Sequence, residues 1–256
     1  MLWFHELPVV WMSLVVFAAV GVVATLIYWV VLALAARGHT AAFKAVSPVM
    51  LTPLAVVFGL IVGFMCAQVW TDADRANGAV VREAGALRGV LLLATDFPAE
   101  EASIRTLVRR HIQNAVEVEW PAMARQDGAL PTITAADTEA LQVILALNPR
   151  GVTQETAQRE MIDSLRNALD ARRERIIISK AKINWVKWTV VLLLGSLILV
   201  TVAMVHSDNR LTAAIAMAIF AVAGAACVVL IASHNRPFTG EISVGPDLLV
   251  QIMPKD

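Results

Sequence analysis

The stretch Pro48–Trp70 reads PVMLTPLAVVFGLIVGFMCAQVW and contains no formally charged residue. An α-helix rises 1.5 Å per residue, so about 20 apolar residues cover the roughly 30 Å hydrocarbon core of a bilayer. This stretch is therefore long enough to cross a membrane. Three other runs share its length and lack of charge: Pro8–Ala36, Trp188–Val205 and Leu211–Ser233. The sequence predicts an all-α membrane protein with four transmembrane helices, at about 8–36, 48–70, 186–205 and 211–233.

The composition of the whole chain agrees with a membrane protein. Of the 256 residues, 58% are hydrophobic and only 16% are charged, whereas soluble domains are about 25% charged. The 21 basic residues balance the 21 acidic residues, which gives no general reason to bind nucleic acid. The five histidines and two cysteines are scattered, without metal-ligand spacing, and no catalytic or nucleotide-binding motif occurs. We therefore expect no enzymatic activity, no cofactor and no metal site.

The segment between the second and third runs, 71–184, is predicted to be helical. Apolar residues recur every three or four positions after Trp70, so the second transmembrane helix is expected to continue beyond the membrane. A second helix is expected to start near Asp96 and to kink or end at Pro121. Gly128 and Pro131 then indicate a loop.

Two further helices are predicted in this segment. A capping box formed by Thr134 and Asp137 opens a short helix that ends at Leu147, and Thr153 caps the longest helix outside the membrane. The tail, 234–256, is expected to form a turn and a short extended segment. No flexible linker separates these parts, so residues 1–256 are predicted to form one integrated domain.

Positive charges near the helix ends predict the orientation. With four crossings, both termini and the segment 71–184 lie on the same side of the membrane. Ten lysines and arginines flank the helices on that side, against Arg37, Lys44 and Arg210 on the other. Lysine and arginine accumulate on the cytoplasmic side, so the N-terminus, the C-terminus and the connecting segment are predicted to be cytoplasmic. The ten residues are Arg75, Arg82, Arg88, Arg172, Arg173, Arg175, Lys180, Lys182, Lys187 and Arg236.

Several short motifs resemble those of the bacterial bestrophin-like family of four-helix membrane proteins. They are Phe58-Gly59-Leu60-Ile61-Val62-Gly63-Phe64 with Trp70, Asp72 and Arg75; Val81-Arg82-Glu83-Ala84; Glu119-Trp120-Pro121; and Arg236-Pro237-Phe238 with Gly240. The family often has an acidic residue before Arg-Pro-Phe, where this chain has Asn235. More distantly, Pro53 to Trp70 is similar to the second helix of true bestrophins. That resemblance implies a homo-oligomer, pentameric by default, in which this helix lines an ion pore.

One face of the second helix supplies the candidate pore residues. At 100° per residue, Thr52, Val56, Gly59, Gly63 and Ala67 share a narrow face, and Leu60 borders it. The resemblance implies that Thr52, Val56 and Leu60 form the constriction, where a ring of apolar groups could gate by dewetting. The alternative is helix packing, because Gly59 and Gly63 are four residues apart and small residues at this spacing let membrane helices approach closely.

The charged residues just beyond the second helix are candidates for a vestibule. Asp72, Arg75, Arg82 and Glu83 are the main candidates, and Asp74 and Arg88 accompany them. Buried ion pairing or a solvated helix face is the alternative interpretation for Arg82 and Glu83. The dense acidic calcium site of animal bestrophins has no counterpart here, so calcium gating is not expected.

The sequence thus predicts an oligomeric ion channel of the bacterial inner membrane, with lipid and copies of itself as partners. Anion selectivity is implied by the resemblance alone, and a cation channel remains an alternative. A different class of protein also fits the apolar bundle: a non-conducting scaffold or stress sensor whose cytoplasmic helices recruit a partner.

Overall fold

The computed structural model describes residues 7–45, 48–126 and 135–254, which are helical and contain no β-strand. This confirms the predicted all-α class. The α-helices of the described residues are α1 (Val9–Leu34), α2 (Thr40–Ala45), α3 (Leu51–Leu93), α4 (Glu101–Asn114), α5 (Trp120–Arg125), α6 (Ala135–Leu145), α7 (Val152–Ile178), α8 (Trp185–Val205), α9 (Arg210–His234) and α10 (Asp247–Gln251).

The chain divides into two compact units. The membrane unit comprises residues 1–70 and 182–235, and the connecting unit comprises residues 71–181 and 236–256, as far as each is described. Helix α3 contributes its first part to the membrane unit and the remainder to the connecting unit. The integrated single domain expected over 1–256 stays a prediction.

Four helices are long and apolar enough to cross a membrane, which confirms the four predicted spans. They begin at Val9, Leu51, Trp185 and Arg210. Within the membrane unit, α1, α8 and α9 share a buried cluster. Large apolar side chains on their other faces are exposed, as is typical of helices surrounded by lipid. Members of the buried cluster are Ala24, Val31, Ile198, Leu199, Met217 and Ala221.

Asparagine side chains position the last two membrane helices. Asn184 Oδ1 accepts a hydrogen bond from the Val186 N–H at the start of α8, and Asn209 caps α9 in the same way. Such caps satisfy backbone donors that have no partner within the helix. Asn235, directly after α9, is buried, and its Oδ1 accepts a hydrogen bond from the Ile183 N–H over 2.8 Å. The start of α8 and the end of α9 are therefore joined within the membrane unit.

The first membrane helix ends in a distorted turn. A π-helical turn covers Ala35–His39, and Gly38 within it has a φ of 94°. Residues other than glycine rarely adopt this conformation, so the glycine permits the change of direction before α2. Arg37, a residue of the predicted opposite loop, lies in this turn.

The connecting unit has one apolar core to which each of its longer helices contributes. Leu87 of α3, Ile112 of α4, Ile144 of α6 and Met161 of α7 are almost fully buried in this core. The C-terminal helix α10 adds Leu249, whose exposed fraction is also zero. The tail after α9 is therefore part of the folded unit.

The helix that is predicted to kink or end near Pro121 changes pitch instead. A π-helical turn, Ala115–Glu119, separates α4 from α5. Proline cannot donate a backbone hydrogen bond and its ring clashes with the carbonyl four residues earlier. The wider turn accommodates both effects and lets the chain continue in helical form to Arg125.

Three local predictions need correction or fall outside the described residues. Helix α7 begins at Val152 after Gly151, whose φ is 112°, so Thr153 is not its cap. The tail is not extended, because α10 follows the turn at Gly240. Gly128, Pro131 and Thr134, which belong to the predicted loop and capping box, lie outside the described residues.

Candidate functional site

The first part of α3 has one buried face and one uncovered face in the membrane unit. Val62, Met65 and Val69 are buried and pack with residues of α8 and α9. On the opposite face of this part of α3 every residue is exposed, and no side chain of the described residues covers it. We call this the uncovered face; in the membrane unit it comprises Thr52, Val56, Gly59, Gly63, Ala67 and Trp70.

All five candidate pore residues lie on or beside this face. The exposed fraction is 63% for Val56 and 57% for Leu60. A Cβ atom added to Gly59 or Gly63 would meet no atom within 4 Å. Packing among the described helices of the chain therefore does not explain the small residues at these positions. If they serve close approach, the neighbour belongs to another molecule.

The same helical register continues in the connecting unit. Ala76, Val80 and Leu87 are buried in the apolar core, whereas the residues that continue the uncovered face are exposed. These are Asp74, Asn77, Val81, Gly85, Arg88 and Leu92. Only Asp74 and Arg88 among them carry a charge.

The four vestibule candidates have different environments. Arg75 is exposed and Asp72 is half-buried. Arg82 is exposed and forms an ion pair with Glu174 of α7. Glu83 has an exposed fraction of zero, because it points away from the uncovered face. In the described residues Glu83 is therefore a buried, ion-paired side chain, and the vestibule assigned to it stays a prediction.

Glu83 belongs to a buried ionic cluster in the connecting unit. Its carboxylate accepts hydrogen bonds from Arg175 Nε over 2.8 Å and from Arg175 Nη2 over 3.1 Å. Arg175 also donates to Glu119, again over 2.8 Å. Arg172 contacts Glu119 at 2.6 Å and Asp137 at 3.5 Å. The cluster thus links α3, α6, α7 and the π-helical turn.

His111 of α4 completes the ionic cluster. Its Nδ1 lies 2.9 Å from Asp137 Oδ1, and its Nε2 lies 3.0 Å from Glu83 Oε1. A carboxylate only accepts hydrogen bonds, so both ring nitrogens must donate and the imidazole is positively charged. Burial by itself lowers the pKa of His111, but the hydrogen bonds to Asp137 and Glu83 and the charges of both carboxylates outweigh burial and raise it to about 9.

The charges of the ionic cluster sum to zero. Glu83, Glu119 and Asp137 contribute three negative charges, while Arg172, Arg175 and protonated His111 contribute three positive charges. Each side chain is at most 8% exposed. Charges are costly to bury unless they are paired and hydrogen-bonded, and this cluster meets both conditions.

Two of the quoted motifs meet beside the cluster. The guanidinium of Arg175 lies 4.3 Å from the centroid of the Trp120 ring. Trp120 packs edge to face on Phe238 at 5.9 Å and donates from Nε1 to the Val244 carbonyl over 3.0 Å. Thr239 donates its hydroxyl to the Ala124 carbonyl. Glu119-Trp120-Pro121 and Arg236-Pro237-Phe238 therefore form one packed contact between α5 and the tail.

Sequence reasoning missed His111, Asp137, Arg172 and Arg175 as members of one site. A signal was present on α7. Its apolar stripe through Met161, Leu165 and Ala168 continues with the same spacing to Arg172 and Arg175. An arginine pair in register with a core stripe indicates buried ion pairing rather than a flanking charge.

The described residues offer no arrangement for metal binding. Across 7–45, 48–126 and 135–254, no group of three histidine, cysteine, aspartate or glutamate residues is placed to hold an ion. Cys66 and Cys227 are both free thiols.

The described residues form an all-α fold in which four helices are long and apolar enough to cross a membrane. These features define a multi-pass helical membrane protein. A family model described as the bestrophin-like domain matches residues 8–249. The chain therefore belongs to the bestrophin-like family, which confirms the resemblance seen in the motifs. A search of curated proteins and a search of solved structures each returned no match.

Proposed function

We propose that the protein is the subunit of a homo-oligomeric ion channel of the bacterial inner membrane, in which copies of α3 surround a central passage. The uncovered face of α3 carries this proposal. Many exposed positions of the other spans have bulky side chains, such as Leu26, Leu193 and Ile219, although α1 and α9 also expose alanines such as Ala18 and Ala218. The uncovered face instead has glycines, an alanine and a threonine, with Val56 as its bulkiest aliphatic side chain and Trp70 at its end. Leu60, which is 57% exposed, borders it.

A symmetric ring explains this composition. The cavities that the described residues of the membrane unit form are lined mainly by apolar side chains, so a passage would require several copies, and closed rings are the usual form of such assemblies. Small residues let the helices approach one another. Val56 and Leu60 would then narrow the passage to an apolar neck that gates by dewetting. Five copies are the starting hypothesis, by family resemblance.

The orientation follows from the charges that flank the helices. Ten lysines and arginines on one side against three on the other favour a cytoplasmic position for both termini. Arg172 and Arg175 end in the ionic cluster, but topogenic charges act on the chain during insertion, before that cluster forms. A fluorescent protein fused to the C-terminus should therefore fluoresce, and alkaline phosphatase fused there should be inactive.

Currents across planar bilayers test the channel. Purified protein should give unitary currents, and Val56→Ala or Leu60→Ala should change their amplitude or open probability, because each widens the apolar neck. Leu193→Ala is a matched control for Leu60→Ala, since both side chains are 57% exposed and Leu193 lies on α8. A molecular mass of one subunit in detergent and in nanodiscs would contradict the proposal.

The alternative is a non-conducting scaffold or stress sensor. Gly59 and Gly63 favour it if they serve tight contact between copies with no passage. An oligomer that stays silent in every salt and at every voltage would support this second function.

A further inference from the structure

The part of the uncovered face that lies in the connecting unit carries two charges that the subunit does not neutralise. Asp74 and Arg88 are both exposed. Neither has a hydrogen-bond or ion-pair partner among the described residues. Two other charged side chains of this part of α3 are paired: Arg82 with Glu174, and Glu83 within the ionic cluster. The remaining two, Asp72 and Arg75, do not lie on the uncovered face.

The charged residues of α3 also differ in their angular position around the helix axis. Relative to the centre of the uncovered face, defined by Thr52, Val56, Gly59 and Gly63, a step of 100° per residue puts Asp74 near the centre and Glu83 on the opposite side. The zero exposure of Glu83 agrees with this arithmetic. Arg75 lies about 130° from the centre by the same count.

From these positions we infer that Asp74 is the selectivity-determining residue of the channel and that it makes the passage prefer cations. This inference rests on the proposed function, because the carboxylate acts only if copies of α3 face one axis. It departs from the anion preference that the family resemblance implies.

Asp74 and Arg88 differ in their distance from the apolar neck along α3. Asp74 is the first charged residue that the face carries after the apolar neck. Arg88 lies 14 residues later, about 21 Å further along the helix at 1.5 Å per residue. At physiological ionic strength a charge is screened over about 8 Å, so at the level of Asp74 the field of Arg88 is largely lost.

Symmetry multiplies the effect of Asp74. Each copy of the subunit adds one carboxylate at the same height, and a ring of carboxylates is a known device for concentrating cations at a pore entrance. The local concentration of anions falls by the same field. Between the apolar neck and Asp74 the face carries no other charge, so the passage takes its selectivity from this ring.

Reversal potentials in a potassium chloride gradient test the inference. Wild-type channels should favour potassium over chloride, and Asp74→Asn should lower that permeability ratio severalfold. Asp163→Asn is the matched control, because it makes the same change at an exposed carboxylate of α7 and should leave the ratio unchanged. The permeability ratios of both variants are compared only after each is shown to form an oligomer of the same mass, so that a loss of assembly is excluded as the cause.

Several results would overturn the inference while leaving the channel in place. These are a wild-type preference for chloride, a ratio that Asp74→Asn does not move, or a larger shift on Arg88→Gln than on Asp74→Asn. Wild-type protein that gives no current would instead refute the proposed function, and the inference about Asp74 would be refuted as well.

Discussion

Arg175 on α7 donates from Nε to the carboxylate of Glu83 on α3 over 2.8 Å, and neither side chain is exposed. The two residues are 92 positions apart in the sequence. Their contact fixes α7 against α3 inside the connecting unit. It also makes the stability of this unit depend on the completeness of its ionic cluster.

Removal of Arg175 should destabilise the protein strongly. Arg175→Met leaves Glu83 and Glu119 buried with too little positive charge, a change that typically costs about 3–5 kcal/mol. The fraction of protein that stays monodisperse after heating in detergent should fall at a lower temperature. Arg166→Met should have little effect, because Arg166 is 68% exposed. Equal heat stability of the two variants would refute the role of the cluster.

Stability should decrease in alkaline solution. The ordinary pKa of histidine is 6.5, and the folded protein raises that of His111 to about 9. A raised pKa contributes stability that is fully present below pH 6.5 and is lost as the pH rises through about 9. Midpoints of heat denaturation measured from about pH 6 to about pH 10 should therefore fall across this window.

His111→Gln tests whether this residue causes the alkaline loss. Glutamine cannot carry the positive charge that balances Glu83 and Asp137. We expect a lower stability near neutral pH and a shallower decline from there to about pH 9. A decline as steep as that of the wild type would show that another group titrates.

The contact between the tail and α5 should also contribute to stability. Phe238 is 4% exposed and packs on Trp120, so Phe238→Ala should cost about 3–5 kcal/mol, as is usual for a buried phenylalanine. Ile242→Ala provides the control on the same tail, since Ile242 is 50% exposed. Limited proteolysis should release the tail of the first variant faster than that of the second.

Two glycines should respond in opposite ways to alanine. A Cβ at Gly59 meets open space in a regular helix, so Gly59→Ala should leave the fold intact or stabilise it by up to about 1 kcal/mol. Gly38 has a φ of 94°, where alanine is strained, so Gly38→Ala should destabilise the turn after α1. The midpoints of heat denaturation of the two variants test this difference. If Gly59→Ala leaves the heat stability unchanged or raised, any change in current that it causes reports on assembly or conduction.

The sequence was informative where one physical constraint acts on a continuous segment. The thickness of hydrocarbon sets the length of a membrane helix, and the four runs therefore predicted the four spans. The continuation of α3 was visible for the same reason, since its apolar spacing persists beyond Trp70 without a breaking residue.

Tertiary neighbours could not be inferred in this way. The register of Arg172 and Arg175 with the apolar stripe of α7 indicates burial, but their partners Glu83 and Glu119 lie far away in the chain and could not be identified from this pattern. His111 likewise lies in register with the apolar stripe of α4, but its partners come from two other helices and could not be identified from the spacing. The π-helical turn before Pro121 could not be predicted from the sequence either, although the proline itself indicated a disruption of the helix.

Asn235 has a consequence for how the membrane unit tolerates acid. A carboxylic acid at this position would lose its charge on acidification. The amide of Asn235 does not titrate, so its oxygen holds the Ile183 N–H equally well in acidic and neutral surroundings. The link between the start of α8 and the end of α9 therefore does not depend on pH through this group, in contrast to the ionic cluster, whose charge balance is lost when His111 deprotonates in alkaline solution.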